Sequence, residues 1–344
     1  MSALIVGLYW AKEINLIGAA MRPDDFRKLS DVIDDLTPHQ RQMLIDRLRK
    51  VGQALETRMV VESRVVDAPL CPHCGNRKVS RWGTASGLQR YRCAICKATF
   101  NALTGTPLAR LRHKDKWLEY TEQMAQGTSV RKSAAVCQVH RDTAFRWRHR
   151  FLQLPNTQKA TLLAGIAEAD ELFFLESEKG KKRGLARPAR KRGGVATKRG
   201  LSDEQIPVLV CRDRAGNTAD FVLEKADKDH ISAVLKPILA TDAILCTDGG
   251  KALGAVAKGM EIVHRPVNLA AGIRVVAGVY HVQNVNAYDS RLKEWMRRFH
   301  GVATCYLPNY LGWRRLIDRF HGTLSPTTAL RAALGIEVQQ LTPT

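Results

Sequence analysis

Two C-x2-C pairs place the strongest constraint on how this chain can fold. Cys71 and Cys74 form the first pair, Cys93 and Cys96 form the second, and eighteen residues separate them. Four thiolates at this spacing complete the tetrahedral sphere of a closed structural Zn²⁺ site. Four unrelated thiols, or a redox C-x-x-C, explain two such pairs less well. The spacing predicts a zinc ribbon, assigned to residues 67–103, in which zinc supports folding and not chemistry.

The charge balance indicates a partner rich in phosphate. The 344 residues include 54 Lys and Arg against 33 Asp and Glu, a formal net charge of +21, and nucleic acid is the leading partner. A basic membrane-surface protein would need an amphipathic lysine-rich helix or a lipidation motif, and the sequence has neither. Residues 1–20 lack the basic start of a signal peptide and contain Lys12 and Glu13, so we expect a cytoplasmic, nucleoid-associated bacterial protein.

Length and composition predict several folding units, because 344 residues exceed one ordinary domain. In chain order, the predicted parts are an uncertain extension (1–20), a helical N-terminal region (21–66), the ribbon (67–103), a helix-turn-helix region (104–155), a mixed α/β domain (160–320) with a basic insert (177–200), and a tail (321–344). Within the α/β domain, strands are predicted at 165–175, 206–212, 218–223 and 243–246.

Residues 128–136 and 141–151 are predicted as two helices joined by a short turn, the outline of a helix-turn-helix. On the second helix, the residues expected to face the core are Ala144, Trp147 and Phe151. The residues left outward, where they can enter a major groove, are Arg141, Thr143, Arg146 and Arg150. A solvated face of an ordinary helical hairpin explains this motif equally well by itself, but the neighbouring basic ribbon favours DNA.

Two aspartates are candidates for a metal-dependent active site. Nuclease-type phosphoryl transfer uses two divalent ions held by acidic side chains. Asp170 lies inside an apolar strand, where an unpaired carboxylate is costly to bury, and Asp248 ends another apolar strand just before two glycines. Taken singly, Asp248 also fits an ordinary Thr-Asp-Gly turn, and Asp170 fits an edge-strand residue paired with arginine.

A predicted helix over residues 281–299 supplies the remaining candidates. Asn286 and Lys293 are two helical turns apart and share a face, and Asp289 lies one turn beyond Asn286 on nearly the same side. An asparagine oxygen is an acceptable ligand for Mg²⁺, and a lysine can bind phosphate as a point charge. The two aspartates and this helix together form a coherent site.

The order of these motifs resembles the ISXO-like insertion-sequence transposases. The matching segments are the two C-x2-C knuckles, the helix-turn-helix, Ala-Asp-Glu-Leu-Phe-Phe at 169–174, the basic insert, Cys-Thr-Asp-Gly at 246–249, and the run His-Val-Gln-Asn-Val-Asn-Ala-Tyr-Asp-Ser-Arg-Leu-Lys at 281–293. The resemblance covers residues 71 to about 318, and its last two segments are the most specific.

This resemblance implies a multidomain α+β protein whose 160–320 region is an RNase H-like catalytic domain with a mixed sheet. By the same resemblance, Asp170 and Asp248 are the first two ligands of two Mg²⁺ ions and Asn286 stands where most DDE enzymes have Glu. Lys293 is then the lysine that these enzymes have seven residues after the third ligand. Asp289 is the alternative third ligand.

The implied function is a DDE-type DNA transposase. It would bind the inverted-repeat ends of its element, cleave them and join them to target DNA, working as a homo-oligomer on double-stranded DNA. The insert holds ten basic residues against Glu178 alone, which suits either a solvated loop or a DNA contact. The insert residues expected on DNA are Lys181, Lys182, Arg183, Arg190, Lys191 and Arg192. The alternatives are a domesticated, non-catalytic DNA-binding regulator and an RNase H or junction nuclease.

Overall fold

The computed structural model describes residues 21–65, 69–181, 183–185, 187–188, 194, 196–197, 202–268 and 271–337. These residues form two compact units, one of residues 21–147 with 325–337 and the other of residues 148–324. The fold is mixed α+β, with helices and two separate sheets. Within these ranges, none of the helices combines the length and the apolar character that crossing a bilayer requires.

The first unit begins with two helices, α1 (Pro23–Asp31) and α2 (Pro38–Glu62). Thr37 caps α2, because its side chain accepts a hydrogen bond from Gln40 N while the Gln40 side chain accepts from Thr37 N. At the other end of α2, the buried Glu62 carboxylate accepts from Gln89 N at 2.7 Å and so ties the helix to the ribbon.

The ribbon is a three-stranded antiparallel sheet of β1 (Val79–Ala85), β2 (Leu88–Cys93) and β3 (Thr99–Asn101). Its apolar core is small, and the stacked rings of Tyr91 and Phe100 lie at its centre, 5.6 Å apart. A core of this size buries little apolar surface, so the ribbon needs a further source of stability.

Three helices follow: α3 (Trp117–Ala125), α4 (Val130–Val136) and α5 (Arg141–Phe151). The structure confirms the two predicted helices and the turn between them. The residues of α5 that were expected to face the core are buried: Ala144, Trp147 and Phe151. The Tyr120 hydroxyl donates to the Ala144 carbonyl at 2.5 Å and fixes α3 against α5.

The second unit contains a five-stranded sheet with helices on it. In chain order its elements are α6 (Gln153–Thr157), β4 (Ile166–Leu175), β5 (Gln205–Asp213), β6 (Thr218–Val222), α7 (Lys228–Leu235), β7 (Ile244–Thr247), α8 (Lys251–Gly259), β8 (Val263–Pro266), α9 (Gln283–Arg297) and α10 (Leu307–Arg319). The four predicted strands are present. The fifth, β8, was not predicted, because its residues are mostly exposed and lack apolar alternation.

The strand order is β6-β5-β4-β7-β8, with β4 in the centre. Strand β4 is antiparallel to β5 and parallel to β7, and β7 is parallel to β8. Side chains of β4 alternate between the two faces of the sheet. Ala167 and Ala169 pack in one apolar core with Leu253 and Val256 of α8, while Glu168 points to the face that α9 covers.

Helix α10 closes against α6 at Gly312. A Cβ at this position would lie 2.5 Å from Asn156 Cα, so only glycine permits the approach. The buried Arg315 side chain donates to the carbonyls of Pro155 and Asn156 and to Asp220, which fixes the segment that leads into the sheet. The region predicted only as a tail holds α11 (Pro326–Leu334), which packs on α2 and α3 in the first unit.

Candidate functional site

Both cysteine knuckles have the same backbone geometry. The Gly75 N–H donates to the Cys71 carbonyl at 2.8 Å, and the Lys97 N–H donates to the Cys93 carbonyl at 3.1 Å. Gly75 has φ of 69° and Lys97 has φ of 60°, so each knuckle ends in a left-handed residue. Glycine adopts this conformation without strain, whereas lysine does so at a cost. The sequence therefore forms two equivalent knuckles although only the first has a glycine.

The four sulfurs form one cluster. Cys71 and Cys96 Sγ are 3.5 Å apart, Cys74 and Cys93 Sγ are 3.6 Å apart, and all four lie within 4.8 Å of one another. A disulfide requires about 2.05 Å, whereas zinc with bonds of about 2.3 Å separates its tetrahedral ligands by about 3.8 Å. The cluster is thus compatible with a zinc ion and leaves no ligand position open.

The two predicted aspartates come together on adjacent strands, Asp170 within β4 and Asp248 just after the end of β7. Because Glu168 of β4 lies beside Cys246 of β7 in parallel register, the residues two positions on, Asp170 and Asp248, reach the same level. The Gly250 N–H donates to Asp248 Oδ1 at 2.9 Å, and the Glu171 N–H donates to Asp170 Oδ1 at 2.9 Å. These backbone bonds orient both carboxylates.

A third carboxylate joins them that the sequence reasoning missed. Oxygens of Asp170, Glu171 and Asp248 all lie within 4.8 Å of one another. Strand alternation directs Glu171 to the opposite face of β4 from Asp170. Since β7 ends at Thr247, the Glu171 side chain meets Asp248 beyond the strand end. The signal in the sequence was two consecutive acids in an otherwise apolar strand.

Electrostatics at this cluster favour a cation. Burial, together with the nearby charges of Asp170 and Asp248, raises the pKa of Glu171 to about 7. Burial and Asp248 also raise the pKa of Asp170. Mutual repulsion of buried carboxylates is relieved by a bound divalent ion, and oxygen donors of this kind suit Mg²⁺.

Helix α9 brings its polar residues towards the cluster to different degrees. Asp289 is 3% exposed, and within the described part of the chain neither of its carboxylate oxygens has a hydrogen-bond partner. Burial raises its pKa to about 8, with a contribution from Asp170. Lys293 is exposed yet close enough to lower the pKa of Asp170 and of Asp289. Asn286 is half-buried on the same helix.

The candidate DNA-contacting residues of α5 are only partly outward. Arg141 and Arg146 are exposed, whereas Thr143 and Arg150 are half-buried. Arg148 of the same helix is fully buried, with its guanidinium 4.9 Å from the centre of the Trp313 ring.

Of the basic insert, Lys181 and Arg183 are exposed, and Lys181 pairs with Glu178 at 2.6 Å. Lys182, Arg190, Lys191 and Arg192 lie outside the described residues. Lys179 has a structural contact: its ammonium donates to the carbonyls of Phe299 and Gly301, just after α9, at 2.8 and 2.7 Å.

The acidic cluster and α9 lie within a recognised domain. Residues 162–314 match the ISXO2-like transposase domain. This segment is therefore similar to the ISXO-like transposases. The match confirms the resemblance stated from the sequence, and it includes every candidate residue of the acidic site.

Other known proteins are similar to the chain over most of its length. The chain is 28% identical over 294 residues to "Uncharacterized protein in transposable element ISH50" of Halobacterium salinarum, covering 83% of this chain and 98% of that protein. It is also similar to a pre-cleavage Mos1 transpososome (11% identity, 65% of this chain, 78% of that chain, TM-score 0.19) and to a Mos1 paired-end complex with left transposon end (13%, 60%, 76%, TM-score 0.20).

Proposed function

We propose that this protein is a metal-dependent DNA transposase that binds the ends of its insertion sequence, cleaves a phosphodiester there and joins the freed end to target DNA. The observation that carries the proposal is the convergence of Asp170, Glu171 and Asp248 within 4.8 Å in an ISXO2-like domain. Two Mg²⁺ ions bound there would activate the attacking oxygen and stabilise the leaving oxygen of an in-line displacement.

The sheet order supports an RNase H-like core for residues 160–320. Three antiparallel strands, β6, β5 and β4, are extended by two strands parallel to β4. This arrangement brings the middle of β4 beside the end of β7, and the carboxylates of the proposed metal site extend from those two places.

The protein's own groups have separate roles in this proposal. Asp170 and Asp248 hold the ions from the sheet, with Glu171 as an additional carboxylate. Asn286 is the third ligand implied by family resemblance. Asp289 is the alternative, supported by a buried carboxylate that has no hydrogen-bond partner among the described residues. Lys293 extends from the same helix and binds a phosphate of the DNA as a point charge.

DNA recognition is assigned to the first unit and the insert. The ribbon (67–103), held by a zinc ion on its four cysteines, and the helix-turn-helix region (104–155) would bind the inverted repeats, with Arg141 and Arg146 exposed for contact. Basic residues of the insert (177–200) would lie along DNA. Two ends must be held together for joining, so we include a homo-oligomer on DNA in the proposal.

The test is cleavage of a labelled duplex that carries the element end, with the full chain and Mg²⁺. We expect a nick that leaves a 3′-hydroxyl at the end and, with target DNA present, a joined product. Asp248→Ala should abolish both while the affinity for the duplex stays the same. End binding without any Mg²⁺- or Mn²⁺-dependent nicking would overturn the proposal and favour a DNA-binding regulator.

A further inference from the structure

We propose that Glu168 and Arg214 are positioning residues that fix the first turn of α9 against β4, and thereby hold the helix that carries Asn286 at its working distance from Asp170. This inference rests on the proposed function for its consequence, but its structural part can be tested separately.

Glu168 replaces the missing cap of α9. Val282 occupies the N-cap position and its side chain accepts no hydrogen bond, so the first N–H groups of the helix need other partners. Glu168 Oε2 accepts from Val285 N at 2.9 Å. Its carboxylate is 1% exposed and lies at the positive end of the helix dipole, where an anion is favoured. The cap therefore comes from a neighbouring strand and ties α9 to it.

Arg214 neutralises Glu168 and reaches the segment before the helix. It directly follows β5, and its Nη1 forms an ion pair with Glu168 Oε1. Nη2 donates to the Val279 carbonyl at 3.0 Å, and Nη1 lies 3.1 Å from His281 Nδ1. A buried carboxylate without this partner would be strongly unfavourable. One guanidinium thus joins the sheet to the chain that enters α9.

These contacts set the geometry of the site because the residues that make them are close in sequence to the proposed ligands. Glu168 precedes Asp170 by two residues and so faces the same side of β4. Val285 immediately precedes Asn286 on α9. A slip of the helix by one residue would move its side chains by about 1.5 Å along the axis and about 100° around it. The Glu168 bond opposes that slip.

Hydrogen exchange on the full-length chain tests the contact without any metal. In Glu168→Ala, we expect the Val285 amide to lose roughly tenfold or more of its protection, as expected for loss of a charged hydrogen bond. Glu168→Gln keeps an acceptor but loses the charge opposite Arg214, so its loss should be smaller. Asp220→Asn, which removes a buried carboxylate–arginine pair between β6 and α10, is the matched control and should leave Val285 protected.

Titration with Mg²⁺ alone, followed by calorimetry, tests the consequence. Glu168→Ala and Arg214→Gln should bind Mg²⁺ several-fold more weakly, by analogy with residues that orient metal ligands, and Asp220→Asn should not. If amide exchange in Glu168→Ala is fast throughout the chain, the Glu168→Gln variant decides: its Val285 amide is compared with the amide of Val210 in β5, which is paired on both sides. Unchanged protection of Val285 in the folded variants, or unchanged Mg²⁺ affinity, overturns the inference. A wild-type chain that binds Mg²⁺ and protects Val285 but never nicks DNA would instead refute the proposed function.

Discussion

The ribbon and the acidic site are two candidate metal centres built in opposite ways. The four cysteines lie within residues 71–96, whereas the carboxylates of the acidic site are drawn from residues 170–289. Each knuckle closes through its own backbone bonds, but Asp170 and Asp248 meet only because β4 and β7 are parallel neighbours. A ligand set formed by local geometry can be recognised from spacing alone. A ligand set that strand pairing brings together can be recognised only when the strand order is known as well.

The two regions should also differ in what the metal contributes. The ribbon has a small apolar core around Tyr91 and Phe100, so a metal on its cysteines would supply folding free energy directly. The acidic site lies on a five-stranded sheet with a separate apolar core. We therefore expect metal removal to unfold the first region and to leave the second folded but inactive.

The largest effect should come from substitutions in α9, where Asn286 and Asp289 are alternative candidates for the third metal ligand. Asn286→Ala should reduce Mg²⁺-dependent nicking by about 100-fold or more, because a lost ligand displaces the ion from the reacting phosphate. Asn286→Asp should keep part of the activity, since a carboxylate can replace the amide oxygen. Lys293→Ala, which removes a phosphate contact but no ligand, should fall in between. Single-turnover cleavage at saturating duplex measures all three.

Asp289→Asn provides the comparison for that prediction. It preserves the shape of the side chain and should lower activity less than Asn286→Ala does. A dead Asp289→Asn beside an active Asn286→Ala would identify Asp289 as the third ligand and contradict our assignment of the working face of α9.

Loss of a zinc ligand should affect DNA binding next most strongly. Cys71→Ser should reduce the affinity for the element end by at least about tenfold, because an unfolded ribbon cannot present its basic residues. The thermal transition of the α/β unit should not change. Cys305→Ser, at an exposed cysteine outside the cluster, is the control and should keep one zinc per chain. Zinc-free protein with wild-type DNA affinity would refute the role of the ribbon.

Glu171→Gln should have a smaller effect, on the order of tenfold. It removes one charge from the cluster but leaves Asp170 and Asp248 to hold the ions, so the expected change is a higher Mg²⁺ requirement for nicking. Glu224→Gln, at an exposed carboxylate of the same unit, should behave as wild type. If Glu171→Gln has the wild-type Mg²⁺ dependence, Glu171 is not part of the metal site.

Sequence patterns predicted the elements whose cause is local. The two helices predicted at 128–136 and 141–151 and four of the five strands are all present. The exposed edge strand β8 and the final helix α11 were missed. The first has no apolar alternation, and the second packs against residues some two hundred positions earlier in the chain, as in the bond from Thr121 Oγ1 to the Pro326 carbonyl.

The site was predictable in its aspartates and not in its surroundings. Asp170 was conspicuous because burying a carboxylate in an apolar strand requires compensation. The part played by Glu171 depends on where β7 stops, and the part played by Glu168 depends on which helix covers that face of the sheet. Neither fact is contained in residue spacing. Lys179, placed by its neighbours in a basic block, instead donates to the carbonyls that follow α9.

The smallest predicted effect is that of pH on stability. Raising the pH should destabilise the acidic site and stabilise the zinc-bound ribbon. In the folded, metal-free chain the pKa is about 8 for Asp289 and about 7 for Glu171, against 3.8 and 4.5 in ordinary surroundings. The folded state therefore holds protons that the unfolded state releases, so stability is highest at low pH and falls as pH rises from about 4 to about 8. Zinc binding to the ribbon should instead strengthen with pH, because thiolates must be deprotonated to bind.

Calorimetry of the Mg²⁺-free chain between pH 5 and pH 8.5 measures this difference. The midpoint of the α/β unit should fall steadily over that range, because each carboxylate with a raised pKa in the folded state loses stability as it ionises. Asp289→Asn should flatten the fall, because an amide does not titrate. Adding Mg²⁺ should raise the midpoint more at pH 8 than at pH 5, since the ion binds ionised carboxylates. Equal slopes for wild type and Asp289→Asn would mean that Asp289 ionises as freely in the folded chain as in the unfolded one, and its burial beside Asp170 would then not be what sets the charge of the site.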